Sequence, residues 1–151
     1  MSRPIVPPPV IGIAFGAAML FVQRGLPQFQ LDVPGGRIAA IIVAVIGLSI
    51  EVAAVGHFFR RKTTINPLAL DKTQHLVVEG LYRVTRNPMY LGMAILLTGW
   101  ALWLGNPINI AFVALFVVVL TELQIKPEER ALEAKFGESY RDYCQRVRRW
   151  V

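Results

Sequence analysis

The chain has 151 residues, of which 54% are apolar and 17% charged, with a formal net charge of +6. A soluble domain carries about 25% charged residues, and here the deficit is concentrated in long uncharged runs, which argues against a soluble domain. The basic residues flank those runs as membrane anchors do, which sets nucleic-acid binding aside, and a lone cysteine, Cys144, excludes an internal disulfide.

Four apolar runs approach the roughly 20 residues that a spanning helix needs. They cover about 4–22, 38–59, 89–104 and 108–125, and one domain over 1–151 accommodates them. The first follows Arg3 and has no small-residue cleavage site after it, so it reads as a retained anchor rather than a signal peptide. Pro7, Pro8 and Pro9 fall in its first turns, where proline is tolerated, and Gly12 and Gly16 form a small-xxx-small pair suited to helix packing. The second run carries Glu51 near its middle. An acid in that position marks a functional site by default, or else a polar bridge to Arg37, Thr98 or a neighbouring backbone; both readings stay open. The connection 62–88 mixes polar and apolar residues, contains Asn66-Pro67 and Gly80, and is predicted to be partly irregular. Pro88 suits the first turn of the third helix and makes Asn87 its N-cap, so that Arg86, Asn87 and Tyr90 gather at the membrane boundary. Gly105-Asn106-Pro107 is a tight uncharged turn that pairs the last two runs as a hairpin.

Beyond the fourth run, Leu132, Phe136, Tyr140, Tyr143, Val147 and Trp150 recur at spacings of 4, 4, 3, 4 and 3. That is one stripe of a single helix over 127–150. Pro127 stands near its start, Glu128 and Glu129 in its first turn, where the helix dipole favours acids, and Arg130, Lys135, Arg141, Arg146 and Arg148 on the opposite face. Arg146, Arg148 and Arg149 read as contacts to an anionic lipid surface. Six Lys or Arg residues lie between Arg60 and Arg86 and seven follow the fourth run, against two in the first connection and none in the Gly105 turn. The positive-inside rule then places both termini and the middle connection in the cytoplasm. The fold expected is an all-α integral membrane bundle of about four transmembrane helices with a cytoplasmic amphipathic C-terminal helix, in a prokaryotic inner (plasma) membrane. His57 and His75 are the only histidines and have no cysteine nearby, so no metal site is expected. Glycine-rich phosphate loops are absent from the sequence.

The stretch Gly80 to Gly92, with Arg86-Asn87-Pro88-Met89-Tyr90 at its heart, resembles the isoprenylcysteine carboxyl methyltransferase family and its phospholipid methyltransferase relatives, whose signature here is Arg-His-Pro-x-Tyr. The tail is similar to the family's second motif, matched by Glu128, Glu129, Leu132, Phe136-Gly137, Tyr140 and Tyr143. The likeness covers roughly Thr73 to Trp150 and includes the hairpin between the motifs. It implies S-adenosylmethionine as methyl donor and S-adenosylhomocysteine as product. It implies a pocket lined by His75, Leu76, Val77, Gly80 and Tyr82, with Arg86, Asn87, Pro88 and Tyr90 beneath and Glu128 and Glu129 closing it. Asn87 departs from the signature: an amide exchanges hydrogen bonds but is no general base near neutral pH, so no proton-transfer role is carried over to it.

The residue chemistry agrees with that implication. Carboxylates at Glu128 or Glu129 suit the hydroxyls or amino group of adenosylmethionine, Arg86 suits its carboxylate, and Gly80 lets backbone approach closely. In-line methyl transfer asks for positioning and exclusion of water rather than covalent help. Arg83, Arg86 and Glu129 are the candidate catalytic residues, with Arg83 or Arg86 positioning a carboxylate acceptor. Glu122, nearer the boundary than Glu51, either contacts this zone or pairs with a loop arginine. The partners expected are the bilayer and a lipophilic or lipidated acceptor: an isoprenylcysteine carboxylate, a phospholipid amine or a small thiol. Three rival functions are a proton-coupled transporter using Glu51, a membrane reductase using NADPH and a non-enzymatic membrane anchor.

Overall fold

The computed structural model describes residues 6–60, 76 and 78–151, with side chains for all of these except 57–60. Among these residues six α-helices run in chain order as α1 (Pro8–Gly25), α2 (Gly36–Arg60), α3 (Pro88–Leu104), α4 (Ile108–Leu120), α5 (Lys126–Phe136) and α6 (Glu138–Arg146). Among the described residues there is no strand, only an isolated bridge between Thr85 and Arg148. The all-α membrane bundle expected from composition is therefore the fold. Among the described residues three helices are long and apolar enough to cross a membrane: α1, α2 over Gly36–Gly56, and the continuous helix through Ile108–Phe136 that begins with α4. The third run, α3, is apolar but only 17 residues long. At about 1.5 Å per residue it spans about 25 Å, short of a hydrocarbon core of about 30 Å.

Helix α3 is the centre of the bundle. Tyr90, Met93, Ala94, Leu97, Ala101 and Leu104 are buried, and they pack with Met19 of α1 and Phe116 and Leu120 of α4. Its contact with α2 is a seam of small residues. A Cβ added at Gly47 would lie 2.6 Å from the Leu96 nitrogen, and one at Gly99 would lie 2.8 Å from the Ala44 nitrogen, so backbone touches backbone there. Between helices in lipid this close approach replaces the hydrophobic driving force. The expected pair in α1 also packs on α3: Met93 covers Gly12, and the Trp100 indole donates to the Gly16 carbonyl at 3.0 Å.

The hairpin forms as the turn chemistry dictates. Gly105 ends α3 in the left-handed conformation (φ 68°), donating to the carbonyls of Ala101 and Leu102. The Asn106 carboxamide accepts from the Ile108 nitrogen at 3.1 Å and donates to the Leu26 carbonyl at 3.2 Å, which ties the hairpin to the end of α1.

Two features depart from the sequence expectation. Between α4 and α5 the helix widens into a π-turn over Thr121–Ile125. Pro127 has no N–H, and its ring crowds the carbonyl four residues back, so the ladder loosens just ahead of it. The single tail helix expected over 127–150 is instead α5 and α6, broken at Gly137 (φ 54°, ψ −124°), and the chain leaves helical conformation at Val147. Glycine adopts that backbone at no steric cost.

Candidate functional site

The site lies where α3 begins and the π-turn hands over to α5. The helix through 108–136 is uncharged up to Thr121 and densely charged from Lys126 onward, so Glu128 and Glu129 stand beyond its membrane segment. The π-turn sets which way they face. Both turn towards the start of α3, and each meets one residue of the first motif. The Tyr90 hydroxyl donates to Glu128 Oε1 at 2.6 Å. Arg86 Nη2 donates to Glu129 Oε1 at 2.8 Å, with both side chains largely buried. Residues about forty positions apart thus share two charge-assisted or short hydrogen bonds, the stronger class in proteins.

Burial raises the Glu128 carboxyl to about 7, its neighbour Glu129 adding to the rise and the Tyr90 hydrogen bond opposing it. The desolvated carboxyl holds its proton up to neutrality, as a carboxyl in apolar surroundings does. Burial likewise pushes the phenols of Tyr82, Tyr140 and Tyr143 upward, so all three stay protonated as donors. Tyr143 uses its hydroxyl on the Tyr82 carbonyl at 2.7 Å. Tyr140, Tyr143 and Val147 form a small buried cluster with Leu76, Val78, Leu132 and Phe136 packed on it, so α6 folds back over the connection before α3.

The last residues complete the arrangement. Arg149 reaches Glu129 with two bonds, Nε to Oε1 at 3.0 Å and Nη2 to Oε2 at 2.6 Å. Its backbone carbonyl accepts from the Asn87 carboxamide at 3.0 Å and from the Thr85 hydroxyl at 3.2 Å, while the Arg148 carbonyl accepts from the Arg86 nitrogen at 2.9 Å. Trp150 donates to the Thr121 hydroxyl at 3.2 Å. The segment 147–150 is a strap that ties the first motif to the π-turn. Arg149, read from sequence as a lipid contact, is a site residue; no residue pattern distinguishes it from Arg146 and Arg148, because its role depends on the chain leaving α6 at Val147. Thr85 was likewise not legible.

The sequence candidates fall into three groups. Arg86, Asn87, Pro88, Tyr90, Glu128 and Glu129 converge here. Asn87 takes the N-cap position of α3, but its side chain makes no cap bond, being spent on the strap. Leu76 packs under Tyr140 and Tyr143, Gly80 takes φ 62° at the start of a 3₁₀ turn (Gly80–Arg83), and Tyr82 is buried in that turn. Arg83 points outward, is exposed and hydrogen-bonds to no described residue. His75 and Val77 lie outside the described residues. Glu122, within the π-turn, pairs with Lys126 one turn on.

At this site one buried donor is left over among the described residues. Arg86 Nε is buried without a hydrogen-bond partner among the described residues, although Nη1 reaches the Cys144 carbonyl at 3.3 Å and Nη2 reaches Glu129. A buried guanidinium donor without an acceptor is costly, and an anionic group arriving beside Glu128 would satisfy it. The donor set therefore fits a ligand that carries a carboxylate together with hydroxyl or amino groups.

The family model described as phospholipid methyltransferase matches residues 36–139. An uncharacterized protein of Haemophilus influenzae is 48% identical over 63 residues, 42% of this chain and 100% of that protein. Protein-S-isoprenylcysteine O-methyltransferase B of Arabidopsis thaliana is 34% identical over 88 residues, 58% of this chain and 45% of that enzyme. A Delta(14)-sterol reductase of Mus musculus is 30% identical over 76 residues, 49% of this chain and 18% of that protein. The chain thus spans less than half the length of these two named enzymes. No solved structure matches it.

Proposed function

The chain belongs to the phospholipid methyltransferase family, and we propose that it is a membrane methyltransferase that uses S-adenosylmethionine, releases S-adenosylhomocysteine and acts on a lipophilic acceptor. The observation that carries this reading is the meeting of two distant motifs around the orphaned Arg86 Nε. Adenosylmethionine, when bound, supplies a methyl group made electrophilic by its sulfonium.

The chain's residues hold and shield. Arg86 takes a carboxylate at Nε while Glu129 and the Cys144 carbonyl keep its plane fixed. Glu128 keeps Oε1 on the Tyr90 hydroxyl and offers Oε2 to hydroxyl or amino groups. Leu76, Gly80 and Tyr82 line the side towards the connection, the side to which the family resemblance also assigns His75 and Val77, and the aromatic cluster of α6 keeps water out, which strengthens every charge interaction inside. Exposed Arg83 steers an anionic acceptor. A carboxylate acceptor needs no base; for an amine or thiol, Glu128 Oε2 is the atom that takes the proton, since its carboxyl sits near 7.

The reading extends to the whole chain: 1–151 as one domain, both termini and the connection before α3 in the cytoplasm, in an inner (plasma) membrane. Membranes containing the protein, incubated with methyl-labelled adenosylmethionine, should transfer label to organic-extractable material, and Arg86→Gln should abolish the transfer. The partial likeness to a sterol reductase supports a second reading, reduction by a nicotinamide cofactor. Binding of NADPH in place of adenosylhomocysteine would establish that one and overturn the first.

A further inference from the structure

A second cavity lies on another face of α3, between α1 and α2, with a volume of about 680 Å³. That is within the range of sites holding drug-sized ligands. Small residues make the room, Gly12 and Gly16 on α1 and Ala40 and Ala44 on α2, and Trp100 and Trp103 on α3 are also in its lining. It is not the site described above. Gly92 faces α2, because a Cβ there would lie 3.1 Å from Glu51 Cβ. Tyr90 is two residues earlier, about 200° round the helix, and turns to Glu128.

Among the described residues of the lining, Glu51 is the only charged one. The partners the sequence offered it are engaged elsewhere. Arg37 lies over the Trp103 ring, 5.8 Å from its centroid, and the Thr98 hydroxyl donates to its own helix at the Ala94 carbonyl. Glu51 makes no ion pair or hydrogen bond with any described residue. An acid in the hydrocarbon region is expensive to keep and marks a site whose cationic partner should be named. The remainder of the lining is almost wholly apolar, so the partner must bring a hydrocarbon body as well as a positive charge.

We infer that the α1–α2 cleft is a binding site for a single-chain lipophilic ammonium, its chain lying along Trp100 between the small residues and its nitrogen on the Glu51 carboxylate. The site binds independently of the methyl donor, so its test does not depend on the function proposed above. An ordinary bilayer acyl chain would fill the cleft equally well but would leave Glu51 unmatched.

The lining tryptophans supply the readout. Brominated dodecylamine, dodecanol and dodecanoic acid, titrated into the full-length protein in nanodiscs of zwitterionic lipid, report occupancy by quenching tryptophan fluorescence. The amine should quench saturably and at least tenfold more tightly than the alcohol, as expected for one charge-assisted hydrogen bond. Glu51→Gln should bring the amine down to the alcohol's affinity. Ala17→Leu, which narrows the cleft without touching Glu51, should weaken all three. Equal quenching by amine, alcohol and acid in wild type, or an amine preference that survives Glu51→Gln, would overturn the assignment and leave the cleft as a lipid-filled groove.

Discussion

At the scale of single residues, the site separates side chains that look alike in sequence. Arg148 and Arg149 are adjacent and both basic, yet Arg148 contributes its carbonyl and Arg149 its guanidinium. Arg149→Gln should therefore lower the thermal stability of the detergent-solubilised protein, by an amount reduced for partial exposure to about 1 kcal/mol, and Arg148→Gln should leave it unchanged. Equal effects would show that the Glu129 contact is unimportant. Glu128 gives a pH dependence. Its carboxyl, raised to about 7, is protonated below that value and ionised above it. A ligand that donates to the carboxylate binds the ionised form, so affinity for adenosylhomocysteine should fall about tenfold per pH unit below 7 and level off above it. Glu128→Gln should flatten the profile; an unchanged slope in that variant would assign the titration to another group.

At the scale of elements, the π-turn and the small-residue seam carry the most information. Pro127 was legible as a helix-start residue and takes the first turn of α5, but the π-turn joins that helix to α4, so the proline also loosens the ladder ahead of it. Pro127→Ala should let the segment relax towards α-helical register, rotating Glu128 and Glu129 away from Tyr90 and Arg86. The measured outcome should be a protein as stable as wild type, or more so, that loses adenosylhomocysteine binding. Retained binding would show that the π-turn does not aim the acids. The seam makes a second prediction. Gly47→Ala places a Cβ 2.6 Å from backbone, whereas at Gly12 it meets only the flexible end of Met93 at 3.1 Å. Gly47→Ala should destabilise by about 1–3 kcal/mol through overpacking and Gly12→Ala by much less, as melting temperatures would report. Gly12 and Gly16 stood out in sequence by their spacing of four. Gly47, Gly92 and Gly99 did not, because their partners lie on another helix and only the packing reveals them.

At the scale of the whole molecule, the bundle was readable because hydrophobic runs and turn residues act locally. The spans, the Gly105 hairpin and the convergence of Arg86, Tyr90, Glu128 and Glu129 follow from runs, turns and paired motifs. What escaped the sequence depends on how the tail folds back. The stripe from Leu132 to Trp150 has helical spacing throughout, so the break at Gly137 and the strap beyond Val147 carry no periodic signature. They form because Arg149, Trp150 and two backbone carbonyls find partners in Thr85, Arg86, Asn87, Thr121 and Glu129. That strap ties the tail to the start of α3 and makes it one wall of the candidate site.

If α5, α6 and the strap join the start of α3 in one adenosylmethionine site, the cofactor cannot bind without the tail. Calorimetric titration of adenosylhomocysteine into detergent-purified protein tests it, comparing the full chain with a truncation after Lys126 that keeps α1 to α4. Binding is expected for the full chain and none for the truncated protein, with the truncated chain still inserted in membranes. Native affinity in the truncated protein would contradict it.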